Sequence, residues 1–134
     1  MMIKGRIISR GSATGEVLIS KEAISFYGGV NPDTGVVVEK GHSLEGKSVS
    51  GKILVFPNGK GSTVGSYTLY RLKKNGAAPL AIINRECEAI VAVGAIISDI
   101  PALDKLEKDP FLILKDGDEV TVDAVKGVLL VNKK

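Results

Sequence analysis

Between Pro57 and Leu72 the chain reads PNGKGSTVGSYTLYRL, and the nine residues from Asn58 to Ser66 gather three glycines, one lysine and three hydroxyl side chains. Residues of these types handle anions. Gly59, Gly61 and Gly65 let the backbone approach a ligand closely, Lys60 brings a compact positive charge, and Ser62, Thr63 and Ser66 offer hydroxyls. The apolar residues that follow recur at helical spacing, and a helix start adds unpaired N–H groups and partial positive charge. The order differs from a Walker A loop, and no G-x-G-x-x-G follows the preceding apolar run. The pattern alone leaves two readings open: Ser62 or Thr63 as a plain N-cap with the glycines making the turn, or a loop that binds an anion.

Other polar residues point less clearly to chemistry. His42, the only histidine, sits in EKGHSLEG, which reads as a polar turn, so we expect a solvated loop residue rather than a catalytic base. No carboxylate or cysteine stands at metal-ligand spacing from it, and no metal ligands are assigned. Cys87 lies between acids in NRECEA, which should raise its thiol pKa and make it structural. Arg85 follows an apolar run and has the fork to clamp a carboxylate or phosphate, or to pair with Glu86 or Glu88. Asp33, Asp99 and Asp104 read as turn and cap residues.

The elements that must position the loop can be read from period and punctuation. GKILVFP (51–57) is a continuous apolar run stopped by proline, as in a strand covered on both faces. From Thr63 onward Val64, Tyr67, Leu69, Tyr70 and Leu72 suggest one helical face, ended by KKNG. APLAIINR (78–85) is a second buried strand, which completes a parallel βαβ unit. In ECEAIVAVGAIISDIP a short helix and then a strand are expected, with Ala89, Ala92, Gly94 and Ala95 small enough to pack closely on a sheet. IKGRIIS (3–9) and GEVLIS (15–20), joined by small polar residues, read as a hairpin, and EVTVDA with VLLV reads as a second one. Residues 21–51 read as loops around one further strand in TGVVVEKG. These elements predict a compact α/β domain with a central βαβ unit and flanking hairpins.

The whole-chain properties narrow the classes. A chain of 134 residues fits one domain, and its hydrophobic fraction of 44% with only 4% aromatics favours buried sheet over disorder. The net charge of +3 is spread among interspersed lysines and acids, without the aromatic-laced basic stripe that would favour nucleic acid. No apolar run approaches the roughly 20 residues of a membrane span, and MMIKGRIISRGS is too short and polar for a signal peptide, so a cytoplasmic protein is expected. One cysteine excludes an internal disulfide and cannot hold an iron–sulfur cluster alone.

The opening GRIISRGSATGEVLIS, the central NGKGSTVGSY and AVGAIISDIP, and the closing LKDGDEVTVDAVKGVLLV together resemble small subunits of the archaeal aconitase X group. The resemblance covers nearly the whole chain. It implies a single swivelling β/β/α domain over residues 1–134, active only beside a large subunit that carries a [4Fe-4S] cluster. It also implies dehydration of (R)-5-phosphomevalonate to trans-anhydromevalonate 5-phosphate in an archaeal mevalonate route to isoprenoids. In that group the proton-accepting serine falls on Ser62 here, and Lys60, Gly61, Thr63 and Arg85 become candidates for contact with the substrate's carboxylate or phosphate.

Two alternatives remain at this stage. Relatives in the group dehydrate cis-3-hydroxy-L-proline. The first and last segments also look like swivelling phosphohistidine domains, but Val64 stands about where their histidine belongs, which argues against phosphotransfer. A non-catalytic anion-binding module is the remaining class.

Overall fold

The computed structural model describes residues 1–132. The chain runs β1 (Met2–Lys4), β2 (Arg6–Ser9), β3 (Ser12–Ile19), α1 (Phe26–Gly29), β4 (Ile53–Phe56), α2 (Gly65–Lys74), β5 (Ala81–Asn84), α3 (Ala89–Ile97), β6 (Ala102–Asp104), α4 (Pro110–Ile113), β7 (Glu119–Asp123) and β8 (Val128–Val131). The strands pair in the order β1-β8-β7-β3-β4-β5-β6-β2. Strands β3, β4, β5 and β6 are mutually parallel neighbours, while β3–β7, β7–β8, β8–β1 and β6–β2 are antiparallel.

Two segments belong to both halves of this sheet. In β3, residues Ser12–Glu16 pair with β7 and Val17–Ile19 pair with β4. At the other side, β1 pairs with β8 and β2 with β6, so the chain crosses from one half to the other at Gly5. A β-carbon at Gly5 would stand 2.6 Å from Leu106 Cδ2 and 3.0 Å from the Asp104 carbonyl, so only glycine passes there without displacing its neighbours. The sheet is thereby folded into two leaves joined along both sides.

Strand alternation sorts the apolar residues into two cores. Ile53, Val55, Ala81 and Ile83 face the antiparallel leaf and pack with Val120, Val122, Leu129 and Val131. Leu54, Phe56 and Ile82 face the helices and pack with Leu69, Leu72, Val91 and Ala95. Both faces of β4 and β5 are covered, which accounts for their unbroken apolar runs, and each fully buried branched side chain contributes about 1.5–3 kcal/mol. The architecture is a layered α/β domain, sheet on sheet, with α1, α2 and α3 on one outer face and α4 packed against the other core.

The helices depart in detail from the periodicity reading. The buried face of α2 is Gly65, Ser66, Thr68, Leu69 and Leu72, whereas Tyr67, Tyr70 and Val64 are exposed. The reason lies in α3, whose Gly94 meets α2 rather than the sheet: a β-carbon there would lie 2.6 Å from Leu69 Cδ1 and 3.2 Å from Ser66 Cα. Ser66 Oγ also donates to the Ile90 carbonyl at 2.8 Å, so small residues face one another where the helices touch. The end of α2 follows expectation, with Asn75 as C-cap and Gly76 at φ +70.

Two expected strand arrangements are replaced. Residues 3–9 and 15–20 form no hairpin, because β2 finds its partner in β6 and β3 in β4 and β7. TGVVVEKG forms no strand, only isolated bridges of Val30 with Val37 and Val36 with Ser48, inside a compact loop closed by glycines at positive φ. The second hairpin, β7–β8, is present. No helix is long and apolar enough to cross a membrane among the described residues.

Candidate active site

The parallel strands end together at Phe56, Asn84 and Asp104, and the loops that follow them gather at one edge of the sheet, where ligands of parallel α/β sheets commonly bind. The loop after β4 carries Lys60, Gly61, Ser62 and Thr63. It is held from two sides. Ile24 N–H donates to the Asn58 carbonyl at 3.2 Å and Lys60 N–H to the Ile24 carbonyl at 3.0 Å, a short parallel bridge. Opposite, Gly59 is pressed against α3: a β-carbon would stand 2.5 Å from Glu88 Oε1 and 2.6 Å from Val91 Cγ2. Gly61 adopts φ +87 and turns the chain beside Ser25.

Ser62 is exposed at the turn into α2. Its Oγ accepts a hydrogen bond from Val64 N–H at 3.1 Å, and its carbonyl accepts from Gly65 N–H at 2.9 Å. The N-cap residue by backbone position is Val64, which has no capping side chain. Ser62 therefore caps the turn before the helix rather than the helix itself. Among the described residues, the N–H groups of Gly61, Ser62 and Thr63 donate to no protein acceptor. Three consecutive N–H groups without a protein acceptor, at the positive end of α2, suit negative charge. The corresponding groups of α3 are not free, since Glu88 takes Ile90 N–H at 2.8 Å and Val91 N–H at 2.9 Å.

Lys60 reaches away from the loop to Glu39, with Nζ 3.0 Å from Oε2. Arg85 is near the loop only through its backbone, where its N–H donates to the Pro57 carbonyl at 3.1 Å. Its guanidinium pairs with Asp109 at 3.2 Å and lies 4.3 Å from the Phe111 ring centroid, rather than meeting Glu86 or Glu88. Strand alternation explains this. Asn84 is bonded to Phe56 O on the helix side, so the next side chain is thrown to the other layer, away from Ser62. The sites read from sequence thus divide: Lys60, Gly61, Ser62 and Thr63 share one loop, and Arg85 is turned from it.

Two further expectations are corrected. His42 is not solvated; its side chain is 1% exposed. Leu44 N–H donates to Nδ1 at 3.0 Å, which leaves the ring proton on Nε2 to be donated to the Ala23 carbonyl at 3.0 Å. A polar-looking turn buries its histidine because both ring nitrogens are satisfied by backbone groups. Asp104 is no turn residue but the fully buried end of β6, bonded to Arg6 Nε at 2.9 Å and Nη2 at 2.8 Å and accepting from Cys87 N–H at 2.6 Å. Ser25, Glu39 and Glu88, which flank the loop, escape sequence reasoning. Only Glu88 leaves a signal, an acid directly before an apolar helical run.

The Cys87 thiol is pushed up to about 12, first by burial, then by Asp104 and Glu88, against a smaller opposite effect of Arg6. Its ordinary value is 9.0, so between pH 9 and 12 the folded chain keeps a proton that the unfolded chain releases. This contribution to stability is fully present below pH 9 and is lost as pH rises through 12. In urea titrations Cys87→Ala should show a shallower decline over that window than wild type; identical slopes would contradict the assignment. A lone thiol held protonated does not suit an iron–sulfur cluster, and among the described residues no group of three or more His, Cys, Asp or Glu could hold a metal ion.

The chain is 66% identical over 127 residues to the phosphomevalonate dehydratase small subunit of Methanosarcina acetivorans, spanning 95% of this chain and 88% of that protein. It is 55% identical over 127 residues to the protein of the same name from Thermococcus kodakarensis, spanning 95% and 93% respectively. The crystal structure of Thermococcus kodakaraensis aconitase X in its holo-form superposes with a TM-score of 0.94 at 52% identity, covering 99% of each chain. A family model described as the aconitase X swivel domain matches residues 2–131. On that match and these identities, the chain belongs to the aconitase X swivel-domain family.

Proposed function

We propose that this chain is the small subunit of a phosphomevalonate dehydratase, a hydro-lyase acting on (R)-5-phosphomevalonate in isoprenoid biosynthesis. The observation that carries the reading is the 66% identity, over almost the full chain, with a protein of that name. Its residues 1–134 act as one swivelling domain in the cytoplasm, and its partner is a large subunit. The [4Fe-4S] cluster belongs to that large subunit, because the residues here do not fit one.

Within this chain, Ser62 is the group that accepts the proton from the carbon next to the substrate carboxylate. A serine hydroxyl is a weak base, and the loop supplies what an alkoxide needs: the Val64 N–H on Oγ and the positive end of α2. No carboxylate or imidazole is bonded to Oγ among the described residues, so the group that first removes the serine proton comes from the large subunit. Lys60, Gly61 and Thr63 hold the anionic ends of the substrate, Lys60 exchanging Glu39 for a substrate oxygen. Arg85 is left out of the ligand set, its guanidinium being engaged elsewhere. The double seating of the loop on Ile24 and on α3 supports movement of the domain as one body rather than of the loop alone.

The test is anaerobic reconstitution with the cognate large subunit, followed by phosphorus NMR of (R)-5-phosphomevalonate and a parallel assay with cis-3-hydroxy-L-proline. Loss of the phosphomevalonate signal with formation of the anhydro product is expected. Turnover of the hydroxyproline alone would reassign the substrate within the family, and failure to co-purify with the large subunit would sink the reading.

A further inference from the structure

We propose that His42 is a positioning residue for the loop that carries Ser62, acting through the backbone of Ala23 and Ile24. The inference rests on the reading of Ser62 as the proton acceptor. His42 lies outside the loop, in a segment with no catalytic part, yet its ring is buried and both of its nitrogens are committed to backbone groups of different segments.

The tie runs along the backbone. His42 Nε2 holds the Ala23 carbonyl at 3.0 Å, and the next residue, Ile24, makes both bonds of the bridge to Asn58 and Lys60. That bridge ends on Lys60, two residues before Ser62. The Leu44 N–H on Nδ1 at 3.0 Å fixes the ring's orientation toward Ala23. Glu22 is the charged group facing the ring, with Oε2 3.7 Å from Nε2, and it also accepts from Ser43 N–H at 2.8 Å.

The geometry makes a distinction that a stabilising histidine alone would not. Loss of the ring contacts should loosen the bridge at Lys60 while leaving the paired strands β4 and β5, which depend on other contacts. A displacement of about 1 Å in a catalytic group is enough to cost about 100-fold in rate, so a partial loosening should cost about tenfold or more.

The experiment compares complexes of the large subunit with wild-type, Ser62→Ala, His42→Phe and His42→Gln small subunits. His42→Phe keeps a ring and removes both ring hydrogen bonds, to the Ala23 carbonyl and from Leu44 N–H; His42→Gln can restore one of them. For His42→Phe, kcat for (R)-5-phosphomevalonate should fall about tenfold or more, by a larger factor than KM changes, with the complex assembled. His42→Gln should fall between it and wild type. Amide exchange should show Ile24 and Lys60 losing protection while Leu54 and Ile82 keep theirs. A folded His42→Phe complex within twofold of wild-type kcat, or unchanged exchange at Lys60, would overturn the proposal. If His42→Phe does not fold, the same two readings on His42→Gln decide it, with a reduced kcat and a less protected Lys60 in support. A wild-type complex without turnover, or Ser62→Ala as fast as wild type, would remove the functional reading instead. The exchange measurement needs no turnover and still decides whether His42 holds the loop.

Discussion

Ser62→Ala is expected to leave the two-subunit complex assembled and to slow dehydration by about 10²–10⁴-fold, the usual worth of a positioned acid–base group. Assembly should survive because Ser62 is exposed and its side chain makes one bond, from Val64 N–H. Losing such a cap costs about 0.5–2 kcal/mol. The rate should not survive, since alanine leaves nothing in the loop to take the proton at that position. Thr63 is adjacent, but the next residue along the turn does not present its hydroxyl to the same donors. The measurement is single-turnover loss of (R)-5-phosphomevalonate by phosphorus NMR, with size-exclusion chromatography to verify the complex. A mutant within tenfold of wild type would reduce Ser62 to a turn cap and move the search for the base to the large subunit.

Phe56→Ala should produce the largest loss of stability among single core truncations near the site. Phe56 is fully buried as the last residue of β4, and its ring meets Phe26 edge-on, with centroids 5.8 Å apart and an interplanar angle of 67°. Truncating a buried phenylalanine costs about 3–5 kcal/mol, part of it the lost aromatic pair. For a domain of this size that corresponds to a fall in Tm of about 10–20 °C. Because Phe26 lies two residues after Ile24, the cavity would also open under the segment that grips the loop carrying Ser62. Thermal unfolding of the isolated chain reads the first effect. A drop below about 5 °C would mean that the helix-side core closes over the gap and does not rely on this contact.

What could be read from the sequence follows from how local each feature is. GKILVFP and APLAIINR are covered on both faces, so composition alone marks them as strands, and Asn75-Gly76 or Asp116-Gly117 announce their turns by backbone chemistry. The loop from Gly59 to Thr63 was legible for the same reason, as glycines and hydroxyls before a helix need no distant partner to be interpreted. Most of the failures involve partners far away in sequence. β2 pairs with a strand 98 residues later instead of its neighbour, and no pattern within IKGRIIS announces that. His42 and Asp104 look like surface residues until Ala23, Leu44, Arg6 and Cys87 are seen to satisfy them. The fork of Arg85 promised an anion clamp, and only the alternation of β5 shows it facing Asp109. The role proposed for Ser62 rests on the resemblance to a family, since residue types alone left the loop undecided between a plain cap and an anion site.

The crossing of the chain at Gly5 also bears on how this protein is made. Residues 2–9 leave the ribosome before the other strands of this domain, yet β1 waits for β8 and β2 for β6, so the earliest of these elements are joined by the later ones. The βαβ unit of β4, α2 and β5 has all its parts within about thirty residues and can form during synthesis, because contacts between near neighbours cost little loop closure. The sheet cannot be closed until Val131 has emerged, and until β6 and β8 arrive the sides of β2 and β1 stand open to strands of other chains. The interval between synthesis of β1 and the arrival of β8 is therefore the period in which a nascent copy is most exposed to misassembly.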